Sequence, residues 1–293
     1  MKTRNRSRTA ESAAAMRAIH LAVMAPPYIF EDPYAHLLTS PGWRLICRSR
    51  LLFIIGTRIL YQGMLPILFQ ILARGRFAED QLEKAATAGI DQYVILGAGL
   101  DSFAIRRRDL AENLRIFELD HPASQDSKKQ RLKTLKIDIP ENLEFVNVDF
   151  EIQSLEDALL NSSYSSARPA FFSWLGSLHY IAEPAVFKTL AGISKVAAPG
   201  SELVCDYAVT EDHAASEEEK AMFRKLKRFT ARRGEPLLSM FDPSTFPDKV
   251  CELGFELIQN ISPRVQTEMY LANRQDHNCI MPSSYFAHFR KTE

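Results

Sequence analysis

"YVILGAGLDSFAIRRRD", residues 93–109, is the stretch whose reading decides the fold. Tyr93-Val94-Ile95-Leu96 is an unbroken apolar run of the kind a buried parallel strand carries. Gly97-Ala98-Gly99 follows at once, where the backbone has to turn tightly with no side chain in the way. Asp101 and Ser102 are placed to cap a helix predicted over residues 103–110. Strand, glycine turn and helix together open a site for a nucleotide-like cofactor, and its identity has to come from the strands that follow.

Working outward, the 293 residues change texture near Gly89, which reads as a helix stop. Before it the pattern is helical: "AESAAAMRAIHLAVM", the proline-marked "APPYIFEDPYAHLL", and the apolar stretch 51–72. After it, strand-like runs ("YVILG", "LRIFELD", "LEFVNVD", "PAFFSWLG", "ELVCDYAV", "FELIQNI", "SSYFAHFRK") alternate with helical ones. Such alternation implies βαβ units, hence an α/β chain whose mostly parallel seven-stranded sheet is covered by helices on both faces. The expected division is a helical cap over residues 1–85 and a Rossmann-like domain over 86–293. The polar run near 211–236 is expected to be a helical insertion overhanging the strand ends, where open α/β sheets bind ligands.

Composition narrows the partners. Lys+Arg and Asp+Glu balance at 36 each, so overall charge gives no argument for nucleic acid or an anionic membrane. Cys47, Cys205, Cys251 and Cys279 are widely spaced with no CxxC pair, which fits reduced thiols in the cytoplasm and offers no zinc framework. The basic N-terminus lacks an apolar region behind it and does not read as a secretory signal. Stretch 51–72 is long enough to span a bilayer, but Arg58 near its middle costs about 2.5–3.5 kcal/mol on insertion scales, and Pro66 breaks it. Two buried or interface helices, with no stable membrane span, are the expectation.

The acids choose the cofactor. "FELD" ends the second strand with Glu118 and Asp120, carboxylates suited to accepting bonds from both hydroxyls of a ribose. Ser102 stands where a dinucleotide fingerprint has its third glycine or alanine, so NAD and S-adenosylmethionine fit these features about equally. "LEFVNVDF" breaks the tie: Asp149 is placed to read an adenine amino group, with aromatic Phe150 beside it. Asp149 also reads as a cap for the helix "EIQSLEDALL", a role compatible with the first.

With these residues in place, the chain resembles the leucine carboxyl methyltransferase-type family of S-adenosylmethionine-dependent O-methyltransferases. The segments that carry the resemblance are "RTAESAAAMRAIH", "FEDPYAHLL", "LARGRFAEDQL", "VILGAGLDSFAIR", "FELDHPASQDSKKQRL", "VNVDF" and "FFSWLGSLHYI". The resemblance implies a class I methyltransferase fold with an N-terminal helical lid, S-adenosyl-L-methionine as cofactor, and no metal. Gly97, Ala98, Gly99 and Asp101 would surround the cofactor's methionine part, and Asp120, with Glu118 nearby, its ribose. Asp149 and the Phe150 backbone would meet the adenine, and Ser173 of the fourth strand would lie beneath. Arg74 would pair with the cofactor carboxylate, as a bidentate guanidinium can, and Arg17 matches a basic position of the first helix. One departure stands out: where many relatives have a glutamate after the fourth strand, this chain has Leu175.

Methyl transfer from a sulfonium asks the protein mainly to align an acceptor and exclude water. A carboxylate acceptor needs no base; a hydroxyl does, and His179, with Tyr180 beside it, is the catalytic candidate. His179 also reads as an ordinary histidine at a helix start. The expected acceptor is a small molecule or a peptide end, and the oligomeric state is left open. Two other classes remain compatible with the sequence: a catalytically silent cofactor-binding or interaction protein, which Leu175 and the apolar stretch 51–72 favour, and an NAD-dependent oxidoreductase, for which no hydride-side catalytic pair is found.

Overall fold

A computed structural model describes residues 8–49, 51–52, 65–150, 153–232, 234–275 and 278–292. Arg58, Gln62 and most of the apolar stretch 51–72 therefore lie outside the described residues. Among the described residues four helices precede the sheet: α1 (Arg8–Val23), α2 (Ala35–Leu38), α3 (Pro41–Arg48) and α4 (Leu65–Thr87). Pro66 lies within α4, directly after Leu65, the first described residue of that helix.

The sheet follows as β1 (Gln92–Leu96), β2 (Arg115–Asp120), β3 (Leu143–Asn147), β4 (Phe171–Trp174), β5 (Glu202–Ala208), β6 (Phe255–Ile261) and β7 (Ser284–Lys291). Its order is β3-β2-β1-β4-β5-β7-β6. Strands β1 to β5 pair in parallel, and β7 runs antiparallel between β5 and β6. The order reverses between β1 and β4, and the crevice at such a switch point is where an open α/β sheet binds its ligand. This is the Rossmann-like class I methyltransferase architecture that the resemblance implies.

Both faces of the sheet are buried, and β1 shows how. Alternate residues point to opposite faces of a strand. Tyr93 and Ile95 enter a core shared with α1 and α4, whereas Val94 and Leu96 enter the core on the other side. That other face is covered by α8 (Leu155–Leu160), α9 (Glu183–Val196) and α11 (Phe246–Cys251). On the first face Phe77 of α4 is fully buried and stacks on Phe286 of β7 at 5.6 Å between ring centroids. Burying one such ring stabilises by about 1.5–3 kcal/mol, so α4 is structural as well as a wall of the crevice described below.

Two local expectations are corrected. The helix expected over 103–110 is two short ones, α5 (Phe103–Arg106) and α6 (Arg108–Ala111), divided at Arg107. Asp101 accepts the Phe103 N–H at 2.6 Å and supplies the start that the sequence asked of it, while the Ser102 side chain makes no capping bond. Asp149 does not cap the helix after β3 either. That helix, α8, begins later, and Ser154 accepts the Asp157 N–H at 3.0 Å. The remaining helices are α7 (Pro122–Leu135), α10 (Glu217–Arg232) within the expected insertion, and α12 (Pro263–Leu271). No helix among the described residues is long and apolar enough to cross a membrane.

Candidate active site

A cavity of about 1010 Å³ lies at the switch point, between the strand ends and the preceding helices. The glycine turn forms its floor. Gly97 and Gly99 have φ of +65° and +52°, left-handed values that glycine adopts without a Cβ penalty. A Cβ on Gly99 would approach Ala10 of α1 at 3.1 Å, and one on Gly97 would meet Ser177 Oγ at 2.9 Å. Glycine is thus required both by the turn and by the closeness of its neighbours.

Asp120 closes one side. Its Oδ2 accepts the Gly99 N–H at 2.5 Å and its Oδ1 the His121 N–H at 2.6 Å, so a strand-end carboxylate is locked to the glycine turn. Burial raises its pKa, and these two N–H groups partly oppose that. Glu118, two residues earlier, is not in the cavity wall. It is buried against Lys128 of α7 at 2.5 Å, and burial pushes its carboxyl up to about 6 despite that cation. The structure thus separates the two acids of "FELD": one faces the crevice, the other a buried ammonium.

This separation is testable. Asp120→Ala is expected to weaken S-adenosylhomocysteine binding by roughly tenfold to over a hundredfold, the range for losing a charge-assisted acceptor of about 1.5–3 kcal/mol. Glu118→Ala strands a buried lysine and is expected to cost about 3–5 kcal/mol of stability. Its affinity, measured while still folded, should stay near that of the unchanged chain. Calorimetry giving the reverse pattern would put Glu118 on the ligand.

Two arginines reach the cavity from the helices before the sheet. Arg17 of α1 donates from Nε to Asp32 at 2.8 Å and from an η nitrogen to the Leu100 carbonyl at 2.7 Å, bolting α1 to the glycine turn. Burial raises the Asp32 pKa, but Arg17 and Arg106, with a hydrogen bond from Ser102, hold it below its ordinary value. Arg74 of α4 meets Asp206 at 3.3 Å. Asp206 is fully buried at the end of β5 and also accepts the Gly176 N–H at 2.5 Å. Asp32, which lines the cavity, and Asp206, which holds Arg74 from behind the wall, are residues that reading the sequence missed. Asp206 carried a legible signal, an acid near the end of a buried strand in an open α/β sheet.

The other candidates divide. Ala98, Asp101, Phe150 and Ser173 line the cavity, and Ser173 shares a 3.0 Å hydrogen bond with the Tyr93 hydroxyl. Asp149 is not in the wall; its Oδ2 lies 3.7 Å from His121 Nε2. Leu175 occupies wall where an acid was expected. Among the described residues no group of three or more His, Cys, Asp or Glu is placed to hold a metal.

A second cavity of about 90 Å³ adjoins the first and shares Thr9, Ile71, Arg74, Gly176, Tyr180 and Glu235 with it. Met16, Ile67, Leu226, Phe229 and Leu237 make much of its wall apolar. His179 lines it with Nδ1 buried and lacking a hydrogen-bond partner. Burial, reinforced by Arg74 and opposed by Asp206, lowers its pKa to about 4. In the unfolded chain the ring takes a proton near its ordinary 6.5. Between these values the unfolded state therefore binds a proton that the folded state refuses. Stability should rise with pH through that window, and acidification to pH 4 should remove about 3 kcal/mol. Urea unfolding at pH 7 and pH 4.5 checks this: His179→Asn should lose less on acidification than the unchanged chain, and an equal loss would refute it.

A profile of the leucine carboxyl methyltransferase family matches residues 10–194, which include the glycine turn, both arginines, Asp120 and His179. The chain belongs to that family. It is 31% identical over 217 residues to a Bacillus subtilis (strain 168) protein provisionally named as an S-adenosyl-L-methionine-dependent methyltransferase, covering 74% of this chain and 71% of that one. A similarly named protein of Mycobacterium avium (strain 104) is 30% identical over 226 residues, covering 74% and 70%. In fold, the chain is similar to a provisionally named methyltransferase from Thermobifida fusca, with a TM-score of 0.59 at 16% identity over 96% of this chain and 94% of that one. A DUF574 family protein from Streptomyces avermitilis gives 0.61 at 14% identity, covering 94% and 97%.

Proposed function

We propose that this chain moves the methyl group of S-adenosyl-L-methionine to an oxygen, a carboxylate or a hydroxyl, of a small molecule or a peptide end. Membership in a methyltransferase family and the names of its relatives make that cofactor the one to test against the larger cavity. The residues present fit it. A glycine turn held at left-handed φ suits a ligand lying against backbone, Asp120 offers a carboxylate to a diol, and Arg74 and Arg17 offer guanidinium groups to a carboxylate. Phe150 also lines this cavity and is the residue proposed to meet the adenine. When bound, the cofactor supplies an electrophilic methyl on a positively charged sulfur.

The observation that carries the acceptor reading is the second cavity, small, largely apolar, and continuous with the first through Arg74, Gly176 and Tyr180. It suits an apolar body that brings one oxygen to the junction. His179 is neutral at pH 7, and at about 4 it is a weak base. Its role is to orient the acceptor through the unpartnered Nδ1. Tyr180 is its neighbour at the junction, with ring centroids 4.3 Å apart. The helices before residue 86 act as the lid that excludes water, since Thr9, Arg17 and Arg74 all reach the cavities from them.

The test is a transfer assay with cofactor labelled on its methyl group and a metabolite extract as acceptor. Label should appear on oxygen: esters release labelled methanol in mild base, and ethers keep it. Label found only on nitrogen or carbon, or no transfer from a cofactor that binds, would overturn the reading.

A further inference from the structure

We infer that Glu235 selects the acceptor, admitting a hydroxyl that donates to its carboxylate and rejecting a carboxylate in the same place; this rests on the methyl-transfer reading above. Glu235 follows α10, just after a turn at Gly234 with φ of +80°, and its N–H donates to the Thr230 carbonyl at 3.1 Å. Among the described residues it is the one carboxylate that lines both cavities. It stands at their junction, where an acceptor oxygen has to meet the methyl group.

Its described hydrogen-bond partners include no cation. The carboxylate accepts a hydrogen bond from the Thr9 hydroxyl of α1, a neutral donor. The one cation in the smaller cavity's described wall, Arg74, is already matched by the buried Asp206 behind it. The remaining titratable groups in that wall are His179, kept neutral by burial, and Tyr180, whose phenol burial holds in its protonated form. Within the described wall of the smaller cavity, Glu235 is therefore a carboxylate with no cationic partner of its own, in a partly enclosed space. A carboxylate brought there meets like charge where water screens poorly.

A hydroxyl meets the opposite situation. Its O–H donates to Glu235, which holds the oxygen with a lone pair turned away from the carboxylate. As the oxygen–methyl bond forms, the methyl–sulfur bond breaks, its electron pair stays on sulfur, and the hydroxyl proton passes to the Glu235 carboxylate. The products are a methyl ether, a neutral thioether and a proton that solvent later takes from Glu235.

The experiment uses the full chain saturated with S-adenosylhomocysteine and a matched pair of probes, 4-ethylphenol and 4-ethylbenzoate, whose shared ring suits the apolar wall. Calorimetry should show the phenol binding at least tenfold more tightly than the benzoate. Glu235→Gln should weaken the phenol and strengthen the benzoate, shrinking that ratio at least tenfold. Glu235→Asp, which keeps the charge but shortens its reach, should still reject the benzoate, and it tests the inference if the glutamine variant does not fold. Preference for the benzoate, binding of neither probe, or equal changes for both in Glu235→Gln would overturn the inference. Failure to bind S-adenosylhomocysteine at all would instead strike the methyl-transfer reading beneath it, so the two failures are distinguishable.

Discussion

Arg74→Ala is expected to lower both the stability of the chain and its affinity for the cofactor, by separate routes. Asp206 is fully buried, and its side chain bonds Gly176 N–H at 2.5 Å, Arg74 at 3.3 Å and the Ser284 hydroxyl at 3.5 Å. Removing the guanidinium leaves that carboxylate without its cation, a change that costs about 3–5 kcal/mol when one partner of a buried pair is deleted. Affinity for S-adenosylhomocysteine should fall roughly tenfold to over a hundredfold through the lost charge-assisted bond. Arg74→Lys should restore much of the stability but only part of the affinity, because an ammonium cannot form two parallel bonds to a carboxylate. A decarboxylated cofactor analogue separates the routes. If Arg74→Lys weakens the analogue as much as the intact ligand, Arg74 acts only as a wall and as the partner of Asp206.

How far the sequence reveals this site depends on whether a residue's task is local. The glycine turn is legible because strand, turn and cap are consecutive, and β1, Gly97, Gly99 and Asp101 take the expected places. Asp120 is legible for the same reason: it ends a strand next to that turn. Glu118 misleads because strand residues two apart share a face, and nothing nearby announces that Lys128, ten positions on, reaches back to claim it. Asp149 lies two residues beyond the end of β3, outside the larger cavity's wall and beside His121.

Pairings made only by the tertiary fold were not legible. Arg74 and Asp206 are 132 positions apart, and Thr9 and Glu235 are 226 apart. Each pair exists because helices from the start of the chain lie across strand ends and an insertion from its second half. The stretch holding Glu235 reads as a solvated polar run, since charge density is its strongest local feature. Only the position of α10 over the cavities gives that carboxylate a task.

The same tertiary contact makes a glycine outside the Gly97–Gly99 turn sensitive to a single methyl group. Gly176 has φ of +70°, and a Cβ built on it would fall on the guanidinium of Arg74, with Nη1 at 2.5 Å. Gly176→Ala should cost about 1–2 kcal/mol in backbone strain alone. It should also expel a side chain that a flexible residue would ordinarily move at little cost. Arg74 is not free to move, because leaving its place breaks the pair with Asp206. Affinity for S-adenosylhomocysteine should therefore fall in Gly176→Ala about as far as in Arg74→Ala. Gly42→Ala, where a Cβ would meet nothing within 4 Å, supplies a control for adding a methyl group elsewhere. With Arg74 already replaced by alanine, Gly176→Ala should cost only the strain and leave the remaining affinity nearly unchanged. That non-additivity, an interaction energy within the range of about 0.5–3 kcal/mol seen for residues in contact, is the decisive reading. If the two affinity losses simply add, the methyl group acts on the backbone alone, and Gly176 is not the seat that holds Arg74 toward its ligand.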